Sequence, residues 1–78
     1  MSIKTRLKAL LDDVLNDDVD INNRQADLAK AYDMDSMDAV DITDRVEREF
    51  GVEIETKNIH SLSTIGDLLG LIEANEAS

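Results

Sequence analysis

Few residues in this chain are equipped for chemistry, and the most informative of them is a serine. Ser36 lies in the run Asp33-Met34-Asp35-Ser36-Met37-Asp38, where Asp35 or Ser36 could cap a helix by accepting from the unpaired N–H groups of its first turn. A hydroxyl at that point has an electropositive surround, because the helix dipole and the free N–H groups favour an anion there. On residue types alone, such a serine reads as a cap. His60 has no second imidazole and no cysteine in the chain to act with, which points to a surface or helix-end residue. Asp18, Asp20 and Asn22 occupy three positions of a calcium loop, but Asn23 stands where glycine is needed and Ala29 where a bidentate Glu is needed. No specific metal site is expected. No nucleophile paired with a base and no glycine-rich phosphate cradle is present, so an enzyme is not expected.

The element that must position Ser36 is an amphipathic helix over 36–50. Asp38 adds negative charge to its first turn, Gly51 follows Phe50 in the place of a left-handed terminator, and nothing between them interrupts the backbone ladder. At 100° per residue, Ala39, Ile42, Thr43, Val46 and Phe50 share a core stripe. Met37, Val40, Asp41, Asp44, Glu47 and Arg48 lie on the other side. Two apolar side chains rimmed by charge suggest a protein-docking surface, against the blander reading of a solvated face.

The chain has 78 residues with 18 acids, eight bases, no cysteine and no proline, for a formal net charge of −10. A domain this small buries only about 60% of its unfolded surface, which leaves little room for a large enzyme pocket. Lys4, Arg6 and Lys8 precede the first acid, Asp12; beyond them five bases face 18 acids, a balance of −13. That field repels phosphate backbones and anionic membranes, so basic protein partners are expected and nucleic acid is not. No apolar run approaches the roughly 20 residues that span a bilayer, and the start has no apolar signal segment. A monomeric cytoplasmic protein without membrane insertion is the expectation.

Along the chain, Ile3, Leu7, Leu10, Leu11, Val14 and Leu15 recur at helical spacing behind Ser2, giving a first helix over 3–15. Residues 16–35 are Asn- and Asp-rich with sparse anchors at Val19, Ile21, Leu28 and Tyr32. They read as a long loop that has room for a helical turn around 25–31. Val52 and Ile54 alternate with Glu53 and Glu55, an extended connector rather than an unpaired strand. One helical turn is expected at 56–60. Thr64-Ile65-Gly66-Asp67 fits a capping box and opens a last helix over 64–74, weakened at Gly66 and Gly70, with the residues beyond it fraying. The fold class is all-α: one small domain over 1–78, with three main helices, a short one, and a long loop between the first two.

With Asp35-Ser36-Met37 leading an acidic helix that closes on Glu49-Phe50-Gly51-Val52-Glu53-Ile54, and Ser63-Thr64-Ile65-Gly66-Asp67 opening the last helix, the chain resembles the acyl carrier protein family over nearly its whole length. The resemblance implies a four-helix carrier bundle and accounts for the long first loop. It implies that Ser36 is the attachment point of 4′-phosphopantetheine, delivered from coenzyme A by a phosphopantetheinyl transferase that reads Asp35. It also implies that acyl groups ride as thioesters on the arm, which explains thiol chemistry in a chain without cysteine. Met37, Asp38, Val40, Asp41, Asp44, Glu47 and Arg48 then align with the face that partner enzymes dock on. Those partners would be acyl-transferring, chain-elongating or chain-modifying enzymes with basic patches, in fatty acid or related lipid or polyketide synthesis. An acyl chain would lie near Val46, Ile54, Ile59, Leu62, Leu68 and Ile72, positions that are also core.

Some residues depart from the family pattern. Met37 replaces a leucine, a volume-conserving swap. Asp33 takes a glycine position, Asp44 replaces an apolar contact, and Arg45 and Arg48 dilute the acidic helix. These differences leave open a specialised carrier serving one dedicated pathway. Two alternatives remain at this point: an aminoacyl or peptidyl carrier using the same serine, and an acidic helical adaptor without a prosthetic group, in which Ser36 is only a cap.

Overall fold

A computed structural model describes residues 2–55 and 63–77. The helical turn expected at 56–60, with His60, Ile59 and Leu62, lies outside the described residues.

Hydrophobic spacing and local caps account for each helix. In α1 (Ile3–Leu15) the Ser2 hydroxyl accepts from Thr5 N–H at 3.2 Å, and Asn16 closes the helix in the left-handed region at φ 53°. Its stripe, Leu7, Leu10 and Leu11, is buried. The turn anticipated around 25–31 is a one-turn helix, α2 (Leu28–Ala31), capped by Asp27 through Ala29 N–H at 2.9 Å. α3 (Ser36–Phe50) ends on Gly51 at φ 66°, whose N–H reaches Glu47 O at 2.9 Å. Thr64 and Asp67 exchange capping bonds of 3.1 and 3.2 Å, so α4 (Ile65–Ala77) begins one residue after its cap. It continues three residues beyond the expected end at 74. The last residues include good helix formers, and the Arg24–Glu73 pair at 3.4 Å ties their start to the loop.

α1 packs against both α3 and α4. Leu7, Leu11, Leu28, Val46, Ile65, Leu68, Leu69 and Ile72 are fully buried between these elements. The long loop is held down by Val19 and Ile21 in the core, by Val19 N–H on Asp12 Oδ1 at 2.8 Å, and by Asp20 N–H on the Tyr32 hydroxyl at 2.9 Å. Its last part runs beside the start of α4. Leu28 N–H donates to Ser63 O at 2.8 Å, and Gly66 N–H donates to Arg24 O at 2.9 Å. A Cβ at Gly66 would stand 2.9 Å from that same carbonyl oxygen. Gly66 is therefore required for a close backbone approach, which adds to its expected role as a weak point in the helix. Residues 52–54 form no strand; Val52 is buried and Ile54 N–H donates to Glu47 Oε2 at 3.2 Å.

Candidate functional site

Two residues could cap α3, and the backbone chooses Asp35. At φ −101° and ψ −177° it takes the extended cap conformation; its Oδ1 accepts from Asp38 N–H at 2.9 Å, and Asp38 Oδ2 accepts in return from Asp35 N–H at 3.4 Å. That capping box satisfies one donor of the first turn. Ser36 is then the first helical residue rather than the cap. Its side chain is exposed, and its Oγ makes no hydrogen bond among the described residues. The N–H groups of Ser36 and Met37 are likewise without an acceptor there, leaving two donors at the positive end of a 15-residue helix.

The chain leading into this corner is bent to suit. Asp33, which takes a glycine position in the family pattern, has φ 58°, in the left-handed region. Aspartate tolerates that region better than most side chains do. Met34 then packs, half-buried, against the core, which fixes where α3 starts.

Such a corner can take a phosphate ester. The hydroxyl is accessible, and the neighbouring N–H groups suit an anion on that oxygen. Asp35 and Asp38 are engaged in capping, although their charge still opposes an anion at short range.

A family model described as "Phosphopantetheine attachment site" matches residues 5–72. The chain is 33% identical to the acyl carrier protein of Thermosynechococcus vestitus over 97% of its own length and 94% of that protein. It is 31% identical to the acyl carrier protein of Thermotoga maritima over 91% of this chain and 88% of the relative. The figure for that of Coprothermobacter proteolyticus is 30%, over 88% and 84%. The chain belongs to the acyl carrier protein family. Its prosthetic group is 4′-phosphopantetheine, and its role is that of an acyl carrier.

The residues expected on a docking face fall into two groups. Met37 and Val40 are the large exposed apolar side chains of the described surface, at 80% and 57% exposure, beside exposed Asp41, Asp44 and Arg48. Asp38 and Glu47 are half-buried and already bonded, one in the capping box and the other to Ile54 N–H. Of the six positions expected near an acyl chain, Val46, Leu68 and Ile72 are fully buried and Ile54 is half-buried. Thr43, the polar member of the core stripe, donates its hydroxyl to Ala39 O at 2.7 Å.

The apolar spacing of α1 gave no sign that its outer side contributes to the surface near α3. Arg6 and Asp13 line an open groove between the two helices together with Asp41, Asp44, Arg45 and Arg48. The i,i+4 spacing of Asp41 with Arg45 and of Asp44 with Arg48 was a usable signal for two of its ion pairs. The cross-helix pair Arg45–Asp13 at 2.5 Å left none.

Among the described residues, Asp18 is paired with Lys8 at 2.8 Å, and Asp20 Oδ1 accepts from Asn22 N–H at 3.1 Å within its own turn. No helix there is long and apolar enough to cross a membrane.

Proposed function

We propose that Ser36 Oγ is the atom that accepts the 4′-phosphopantetheine arm from coenzyme A, and that the protein serves as a passive carrier with no catalytic group of its own. The observation that carries this reading is the division of tasks at the start of α3: Asp35 caps the helix, so the Ser36 hydroxyl is exposed and unengaged. When attached, the arm supplies a terminal thiol that holds acyl groups as thioesters. Asp35 fixes the first turn and marks the site for the transferase, while the Ser36 and Met37 N–H groups favour a phosphate ester on Oγ. The adaptor alternative gave Ser36 the task of a cap, and Asp35 performs that task.

Met37 and Val40 form the apolar centre of the docking face for the transferase and for acyl-transferring, elongating or modifying enzymes. Asp41, Asp44, Glu47 and Arg48 form its charged margin. Val46, Ile54, Leu68 and Ile72, with Ile59 and Leu62 outside the described residues, are the positions nearest which an acyl chain would lie. Incubating the apo-protein with coenzyme A and a broad-specificity phosphopantetheinyl transferase should give a single pantetheine adduct by intact mass, absent in Ser36→Ala. Undiminished modification of that variant would overturn the assignment.

A further inference from the structure

The carboxylates of the proposed docking face are not free. Arg45 Nε donates to Asp41 Oδ1 at 3.2 Å, and Arg48 Nη2 lies 3.2 Å from Asp44 Oδ2. Arg45 also reaches across to α1, where its Nη1 donates to Asp13 Oδ2 at 2.5 Å. These bonds, to Asp13 first and Asp41 second, raise the guanidinium above its ordinary range and hold it between two carboxylates. Glu47 is turned toward Ile54 N–H. Over residues 41–48, three acids stand against two arginines, a charge density no different from that of the whole chain, so what sets this stretch apart is that two of its acids are paired.

An incoming cation therefore meets paired charges, whose attraction falls off faster with distance than that of a bare carboxylate. To bond Asp41 or Asp44 it must displace a guanidinium. The two arginines differ in how readily they yield. Among the described residues Arg48 has a single carboxylate partner, and 79% of its side chain is exposed, so it can turn toward an acid on a partner. Arg45, with 43% exposed and two carboxylates to satisfy, stays in place.

Resting on the carrier reading, we propose that Arg45 and Arg48 are specificity residues of the docking face: by withdrawing Asp41 and Asp44, they make it favour a partner surface of mixed charge, with a carboxylate for Arg48 beside an apolar centre for Met37 and Val40, over a uniformly basic one. This is selection against wrong partners as much as attraction to the right one.

The test uses two synthetic amphipathic helical peptides with the same apolar stripe, one carrying only lysine at its polar positions and one alternating lysine with glutamate. Their affinities for the full chain are measured by fluorescence anisotropy. In the double variant Arg45→Gln/Arg48→Gln, preference for the all-lysine peptide should rise about three- to tenfold over wild type at low salt and collapse at about 0.5 M salt. Arg24→Gln, which removes the same kind of charge at the pair with Glu73, should leave the preference unchanged. A double variant no more selective than Arg24→Gln overturns the specificity role. Pantetheine loading of the same proteins, read by intact mass, reports separately on the carrier reading: loading on the wild type supports it, and failure to load overturns it whatever the peptides do.

Discussion

Removing the Ser36 hydroxyl should leave the fold almost untouched, because Oγ makes no hydrogen bond among the described residues. Ser36→Ala is expected to unfold within about 0.5 kcal/mol of wild type in a denaturant titration while losing all pantetheine loading. Asp35→Ala should do the opposite first. It deletes the carboxylate that holds Asp38 N–H, at a cost of about 1 kcal/mol of stability, and it frays the turn that presents Ser36, which slows loading. If Ser36→Ala proved the more destabilising of the two, the serine would be the working cap and the division of tasks would be wrong. Asp33 belongs at this scale too: a left-handed residue just before the capped turn helps aim α3, and aspartate accomplishes it without glycine.

At the scale of elements, the two glycines of α4 separate propensity from packing. Nothing lies within 4 Å of a Cβ at Gly70, so Gly70→Ala should raise stability by about 0.5–1 kcal/mol. At Gly66 the added methyl would meet the Arg24 carbonyl oxygen at 2.9 Å, and Gly66→Ala should lower stability by about 1–3 kcal/mol despite its better propensity. Equal gains from both substitutions, read by thermal melts, would refute the close approach. The other junction is the end of α1, where an acid stands at the negative end of the dipole. Burial alone would push Asp12 up, but the Lys8 ammonium at 2.6 Å and Val19 N–H at 2.8 Å together hold it below its usual value of 3.8. A carboxylate lowered in the folded state stabilises fully above that value, and its contribution is lost as pH falls through the folded one. Asp12→Asn should therefore flatten the acid limb of the stability profile below about pH 4; an unchanged acid limb would show that the clamp contributes nothing.

For the whole molecule, the governing quantity is a net charge of −10 on 78 residues. Self-repulsion of that size works against the folded state and is screened by ions, so the melting temperature should rise by several degrees from low salt to about 0.2 M. A melting temperature insensitive to salt would mean that the ion pairs already balance the field. Those pairs concentrate where α1 meets α3: Arg6 bonds both the Glu49 carboxylate at 3.0 Å and its main-chain oxygen at 2.7 Å, and lies 4.6 Å from the centre of the Phe50 ring. On the exposed side of α3, two of the carboxylates, Asp41 and Asp44, are taken up in such pairs.

Sequence by itself determined the limits of α1 and α3, the left-handed close at Gly51, the Thr64–Asp67 capping box, the buried stripe of α3 and the exposure of Met37 and Val40. Each depends on residues within a turn or two of one another, where spacing and side-chain chemistry act directly. It also singled out Ser36, but not what Ser36 does at the helix start, because Asp35 and Ser36 are equally good caps until the backbone is set. Only the tertiary structure decided that choice, the need for glycine at 66, and the tying of Arg45 to Asp13. Each of the last two turns on the distance between groups far apart in the chain, and those distances exist only once the core has brought α1, the loop and the later helices together.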